Sequence, residues 1–142
     1  MVLGEKLWEG KGKGEGAGFI KSVGMDGVTS EYGFSAQVKG VGRAKGADLN
    51  ISVTAISMMP PKGVATANDK GMFMTVAGDM GVLKGFDAMK MTMGGKPMSV
   101  GLWTFMTMSE KLAWMNDIIA IVTFEALDPM WQEFNVVINE WK

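Results

Sequence analysis

The sequence predicts an all-β protein, a closed antiparallel barrel of about eight strands with one short helix near residues 109–116. Between Gly10 and Gly18 every second residue is glycine. Period two is the period of a β-strand, so one face of this strand is bare backbone. After it, apolar residues recur at alternate positions in short segments separated by glycine, proline or Asp/Asn clusters. This alternation is typical of antiparallel strands joined by turns.

The glycine face favours a barrel because it lets a sheet curve tightly or a bulky side chain approach the backbone. Closure also removes the unpaired edges that an open sheet exposes. A two-sheet sandwich is the alternative that the same number of strands permits. At 142 residues the chain has room for one domain, which we expect to span residues 1–142.

The remaining elements follow in order along the chain. A turn at 25–27 ends the glycine strand, and a glycine-broken bend at 40–46 ends the next strand. Ser109 is placed to cap the short helix, which runs through Asn116. The other predicted strands share alternation and strand-like length: 49–55, 64–67 and 72–77 on either side of the Asn-Asp-Lys-Gly sequence at 68–71, 82–91, 98–108, 118–125 and 131–141.

Composition excludes several classes of function. The chain contains no cysteine and no histidine, which excludes disulfides, thiolate chemistry, a histidine zinc site and a Ser-His-Asp triad within one chain. The formal net charge of −1 implies no basic face for nucleic acid. The uncharged run 118–124 is far below a membrane span, and residues 1–9 do not resemble a signal peptide. We therefore expect a cytoplasmic protein without a cofactor, a metal, a nucleic-acid partner or a membrane span.

Four short stretches carry a resemblance to known proteins: Lys111-Leu112-Ala113, Asn116, Phe124-Glu125 and Glu140-Trp141-Lys142. In these stretches the chain resembles the C-terminal half of a group of small, functionally uncharacterised archaeal and bacterial proteins. The resemblance implies an antiparallel barrel of the calycin or allene oxide cyclase-like kind. Such barrels commonly hold apolar small molecules and sometimes act as cyclases or isomerases.

An apolar ligand inside the barrel is also the hypothesis that the composition favours. The chain has 15 methionines, 5 tryptophans and 7 phenylalanines, and a small barrel either fills its interior with side chains or holds one ligand. Methionine suits both cases, because it fills irregular gaps and adapts to a bound molecule. The residues expected to contact the ligand are Tyr32, Met74, Met91, Trp103, Phe105, Met106 and Met108.

The alternative function is that of a cofactor-independent cyclase or isomerase acting on an apolar substrate. Tyr32, the only tyrosine, lies on the apolar face of its strand and could donate a proton or bond a backbone carbonyl. Arg43, the only arginine, could clamp a carboxylate or phosphate, or pair with a nearby acid. Glu133 could be an acid or base if its face points inward, although Phe134 and Val136 on the other face favour an outward position.

Two further hypotheses come from the methionine-rich segments. The pairs Met72-x-Met74 and Met106-x-Met108 and the run Met89-x-Met91-x-Met93 each place thioethers on one strand face, and Cu(I) accepts such ligands. The absence of histidine favours methionine as an adaptable filler instead. Segment 98–108 is apolar on both faces, which is typical of a strand covered on both sides. Because a barrel covers only one face, this segment predicts a self-assembling homo-oligomer.

Overall fold

The protein is a closed barrel of eight antiparallel strands in which neighbours in sequence are neighbours in space, so the predicted fold class is confirmed. A computed structural model describes residues 3–91 and 95–142, except for the side chains of residues 16, 17 and 91. Two short 3₁₀ helices accompany the sheet, at Gly42–Ala44 and Ala113–Asp117. The strands are β1 (Leu3–Gly24), β2 (Gly27–Gly40), β3 (Leu49–Met59), β4 (Ala65–Met74), β5 (Met80–Met91), β6 (Pro97–Thr107), β7 (Ile119–Ala126) and β8 (Glu133–Trp141).

Two elements differ in kind from the sequence prediction. The short helix is a 3₁₀ helix at Ala113–Asp117 and has no side-chain cap from Ser109, whose hydroxyl bonds Asp79 instead. The sequence at 68–71 is not a turn, because β4 runs through it in continuous register with β3 and β5. Sheet pairing on both sides outweighs the local turn preference of these residues.

The glycine face of β1 points into the barrel. Gly10, Gly12 and Gly14 pair with Val38, Ala36 and Phe34 of β2. A Cβ on Gly12 would lie 2.3 Å from Cζ of Phe134, a distance that no real carbon contact allows. The missing side chains therefore make room for an aromatic ring of β8, which is the close approach that the alternating glycines predict.

One end of the barrel is filled by its own side chains. The rings of Trp8 and Trp114 stack at 5.6 Å between centroids, and Phe105 lies 6.1 Å from Trp8. The Trp8 indole donates a 2.8 Å hydrogen bond to the carbonyl of Ala47, in the loop between β2 and β3. Arg43 covers this end, with its guanidinium 4.8 Å from the Trp114 ring.

The outer surface carries an exposed apolar face on β4, β5 and β6. In segment 98–108 only the inward residues are covered, and Leu102 and Met106 are exposed. The predicted second covering layer is not supplied by the described part of the chain. No helix among the described residues is long and apolar enough to cross a membrane. The exposed apolar face consists of Met72, Met74, Met80, Val82, Phe86, Val100, Leu102 and Met106.

Candidate functional site

The end opposite the tryptophan stack holds a cavity of about 300 Å³. The cavity lies at the end of the barrel where β2, β4, β6 and β8 begin. Residues near the start of each of these strands line its wall. The lining is mainly apolar, with a few polar groups among aromatic rings and methionines. Its aromatic residues are Tyr32, Phe34, Phe124, Trp131 and Phe134, and its polar side chains include Ser30, Ser57, Thr66, Asp87 and Ser99.

A row of alternating large and small residues crosses the sheet below this cavity. The strand register places Tyr32 beside Ala55, Ala55 beside Asp69, Asp69 beside Gly85, and Gly85 beside Trp103. All of them point inward, because they share one phase of the two-residue strand period. The small residues Ala55 and Gly85 leave room for the polar groups on either side.

Asp69 of β4 is a fully buried carboxyl whose side chain interacts with residues of β5 and β6. It is 1% exposed, and its Oδ2 accepts a 3.0 Å hydrogen bond from Nε1 of Trp103. A buried carboxylate is costly unless donors compensate for the lost water. The indole supplies one such donor, and a charge-assisted bond of this kind is stronger than a neutral one.

Asp87 lies two residue pairs along the β4–β5 ladder and is the acidic group of the cavity wall. Asp87 pairs with Ala67 while Asp69 pairs with Gly85, so the two aspartates are diagonal neighbours on adjacent strands. A hydrogen bond with Asp69 is one of the interactions that favour the protonated form of Asp87. Burial, followed by this hydrogen bond and the Asp69 charge, raises the pKa of Asp87 from its ordinary 3.8 to about 9. Asp87 is therefore protonated near neutral pH.

Tyr32 is a further polar side chain of the cavity wall, and it lies within the electrostatic influence of Asp69 and Asp87. Its ring is partly buried and lines the wall next to Phe34. Burial raises the pKa of Tyr32, and the charges of Asp69 and Asp87 raise it further. The phenol therefore keeps its proton over the physiological range and is available as a hydrogen-bond donor.

The mouth of the cavity is shaped by the turn that leads into β8. Asp128 accepts hydrogen bonds from the backbone N–H groups of Met130, Gln132 and Glu133, at 2.9, 3.1 and 2.9 Å. The bonds from Gln132 and Glu133 contribute most to lowering the pKa of Asp128. This turn holds Trp131 at φ 56°, a left-handed conformation that is costly for a bulky residue. The indole lies over the cavity against Phe134, with centroids 5.9 Å apart.

The structure brings one of the predicted ligand residues into the cavity wall. Tyr32 lines it, whereas Trp103 and Phe105 point inward but lie deeper in the filled interior. Met91 lies outside the described side chains. Three predicted residues point outward and are exposed, so they cannot contact a molecule inside the barrel: Met74, Met106 and Met108. Their strand phase is opposite to that of Trp103 and Phe105.

The three predicted catalytic candidates are not brought together. Arg43 lies at the filled end, where its Nη1 is 3.4 Å from Oε1 of Glu140. Glu133 is exposed at the start of β8 on the outward face. Only Tyr32 reaches the cavity. The paired methionines 72/74 and 106/108, predicted as candidates for Cu(I), lie on the outer surface. In the third group Met89 lines the cavity, and the side chain of residue 91 and residue 93 lie outside the described part of the chain.

Sequence reasoning missed Asp69 and Asp87, although a signal for both was present. With β4 read as one strand, Asp69 shares its face with Ala67, Gly71 and Phe73, and Lys70 falls on the other face. Asp87 likewise shares its face with Leu83 and Gly85, while Lys84 and Lys90 are outward. An acid in phase with apolar residues and out of phase with lysines indicates a buried carboxyl.

The fold and cavity together define a closed β-barrel with one filled and one open end. No protein-family model matches the chain, and no curated protein matches it by sequence. Solved structures do: a β-barrel-like protein from Acinetobacter baumannii AYE matches with a TM-score of 0.82 and 13% identity, over 99% of this chain and 96% of that one. A protein of unknown function from Clostridium acetobutylicum matches with 0.79 and 12%, over 100% of both chains. An enzyme from Penicillium herquei matches with 0.68 and 16%, over 99% of this chain and 94% of that one. At identities this low, the structural similarity shows a shared barrel fold alone.

Proposed function

We propose that the protein binds one apolar small molecule in the cavity at the open end of the barrel. The observation that carries the proposal is the cavity itself, about 300 Å³ of space walled by aromatic and aliphatic side chains. Small-molecule pockets begin at roughly this size and combine apolar walls with a few polar groups. The resemblance to calycin and allene oxide cyclase-like barrels, which commonly hold apolar molecules, points in the same direction.

The two ends of the barrel support this function in different ways. At the filled end Trp8, Trp114 and Phe105 pack against one another and leave no comparable space for a ligand. At the open end Ala65 and Ala67 stand where larger residues would close the space. Burying apolar ligand surface there contributes about 25 cal/mol per Å². A rigid, preformed cavity keeps most of that gain because little side-chain ordering is needed on binding.

The experiment fills the cavity by substitution. Ala67→Phe adds a ring to the wall, and Ala88→Phe adds the same ring to an exposed position on the outer face of β5. Binding of 2-phenylethanol is measured by NMR titration, with native mass spectrometry of the purified protein to detect a retained ligand. We expect Ala67→Phe to weaken binding by about tenfold or more, equal to about 1.4 kcal/mol, and Ala88→Phe to leave it unchanged. Equal affinities in both variants would contradict the proposal.

We propose as a second candidate a cofactor-independent isomerase, because Asp87 and Tyr32 share the cavity. In its elementary step a C–H bond beside a carbonyl breaks and its electron pair forms the C=C bond of an enolate. Ionised Asp87 takes the proton, and Tyr32 hydrogen-bonds the oxygen. In a β,γ-unsaturated carbonyl substrate the enolate is conjugated with the second C=C bond, and return of the proton from Asp87 to the γ-carbon shifts that bond and completes the isomerisation. The barrel enzyme from Penicillium herquei shows that this fold accommodates catalysis in that protein.

The test is exchange of the α-protons of phenylacetone in deuterium oxide, followed by NMR. We expect exchange faster than in buffer alone, rising with pH as Asp87 ionises. Asp87→Asn removes the base, and Asp26→Asn, in the exposed turn between β1 and β2, is the control. Exchange at the buffer rate with the intact protein would reject the isomerase.

A further inference from the structure

Two buried acceptor oxygens at and directly behind the cavity wall lack a partner in the described part of the protein. Oδ1 of Asp69 and Oδ1 of Asp87 are buried and have no hydrogen-bond partner among the described residues. Asp87 is 7% exposed and belongs to the cavity wall. From this geometry we propose that the bound molecule is a hydrophobic amine, with its ammonium group on Asp87 and its apolar body among the aromatic rings. The inference rests on the proposed binding function and specifies its ligand class.

The aspartate pair carries a negative charge that no described cation neutralises. Asp69 and Asp87 are diagonal neighbours on adjacent strands, and they share one proton because two adjacent buried carboxylates repel each other. The pair then retains one negative charge. Trp103 donates to Asp69, and no lysine or arginine forms a salt bridge with either aspartate in the described part of the chain. A buried anion without a cation is costly, and a ligand ammonium would supply the missing charge.

The cavity wall beside Asp87 suits a ligand that is both cationic and apolar. The described cavity lining contains no lysine or arginine, and its only carboxyl is that of Asp87. Five aromatic side chains line the same space, and their ring faces attract cations in addition to apolar groups. Phe34, Phe124 and Phe134 meet edge to face at 5.5 to 5.6 Å, so they form one cluster. A neutral ligand would gain only the apolar contacts, and an anionic ligand would be repelled.

Binding of an amine is expected to release the proton that Asp69 and Asp87 share. The titratable groups that face Asp87 from neighbouring strands are Asp69 on β4 and Tyr32 on β2, and β6 carries no titratable side chain. Lys84 and Lys90 of its own strand point outward. An ammonium beside Asp87 favours the ionised carboxylate. Binding of the amine therefore expels the proton that the aspartates share.

The experiment compares three probes of similar size and different charge: 2-phenylethylamine, 2-phenylethanol and 3-phenylpropionate. Binding is measured by isothermal titration calorimetry near neutral pH in two buffers of different ionisation enthalpy. We expect the amine to bind about tenfold tighter than the alcohol or better, and the carboxylate to bind weakest. The difference in heat between the two buffers is expected to report a net release of protons with the amine and none with the alcohol.

Asp87→Asn tests the residue, and Asp26→Asn removes one exposed negative charge from the same end of the barrel as a control. We expect Asp87→Asn to lose the preference for the amine and keep its affinity for the alcohol, with Asp26→Asn unchanged. If Asp87→Asn does not fold, the probe order and the proton release of the unsubstituted protein decide alone.

The outcomes separate the two proposals. If none of the probes binds in the cavity, the proposed binding function fails. If the alcohol binds there and the amine binds no tighter, or binds without proton release, only the amine inference is overturned. A preference for the amine that survives in Asp87→Asn also overturns it, because the charge would then lie elsewhere.

Discussion

Nε1 of Trp103 donates a 3.0 Å hydrogen bond to Oδ2 of Asp69 across the barrel interior. The two residues lie two strands apart, and Gly85 of β5 separates them in the register. A Cβ on Gly85 would lie 2.3 Å from Cδ1 of Trp103. The bond therefore exists because the middle strand has no side chain there.

We expect Trp103→Phe to destabilise the protein more than an ordinary aromatic substitution does. It removes the donor and leaves a buried carboxylate oxygen unsatisfied, which costs about 1–3 kcal/mol beyond the lost packing. Urea unfolding measures the change in free energy. Trp141→Phe is the control because Trp141 lies on the exposed outer face of β8. Equal destabilisation by the two substitutions would show that the bond contributes nothing to stability.

Stability is expected to fall as the pH rises from about 4 to about 9, through the effect of Asp87. Its pKa is raised from 3.8 to about 9 in the folded protein. The folded state therefore holds a proton that the unfolded state has released over this interval. The stabilisation is complete below the unfolded value and is lost as the pH rises through the folded one.

The free energy of unfolding can fall by about 1.4 kcal/mol per pH unit for one such group. Asp87→Asn imitates the protonated carboxyl and is expected to flatten this dependence, so that the variant is more stable than the original at the alkaline end. Urea unfolding over the pH range measures both proteins. A parallel pH dependence in the two would contradict the assignment to Asp87.

Gly12→Ala is expected to destabilise the barrel although alanine normally favours a strand over glycine. The new Cβ would meet the Phe134 ring at 2.3 Å and the carbonyl oxygen of Ser35 at 2.6 Å. Overpacking of this kind costs about 1–3 kcal/mol. Gly24→Ala is the control, because nothing lies within 4 Å of a Cβ there. Thermal unfolding that places both variants at the same midpoint would mean that the glycine face is not needed.

Self-association of the barrel stays a prediction, and its surface can now be specified. The exposed apolar face places Val82 beside both Met72 and Met106 in a row across three strands, and Phe86 beside Leu102 in a second row. The polar row of Lys70, Lys84 and Thr104 lies between them. Exposed apolar surface marks interaction sites. We expect sedimentation to show an oligomer that Phe86→Lys weakens. The control Gln37→Lys, at an exposed position on the outer face of β2, is expected to leave the oligomer unchanged. A monomer at micromolar concentration would remove the reason to expect assembly.

Part of the architecture could be read from local pattern. The alternating glycines of β1, the breaks at 25–27 and 40–46, and the alternation in β3 and β6 are properties of neighbouring residues. The sequence at 68–71 could not be read in this way. Its asparagine, aspartate and glycine favour a turn locally, and only pairing with β3 and β5 makes it a strand.

The candidate site shows the same division. Tyr32 could be placed in the interior because it alternates with Glu31 and shares the phase of Phe34. Met106 and Met108 could not be placed, because segment 98–108 is apolar in both phases and either face could have been the inner one. The structure turns Trp103 and Phe105 inward, so the methionines lie outside.

The sequence by itself determined an all-β barrel, the bare face of its first strand, and the absence of histidine and cysteine chemistry. These follow from composition and from a two-residue period, which act over a few neighbouring positions. The tertiary structure alone decided that Asp69 and Asp87 share one interior, that Arg43 lies at the filled end, and that Glu133 points outward. The period sorts side chains into two faces, but strand register and closure determine which face is inside and which residues meet.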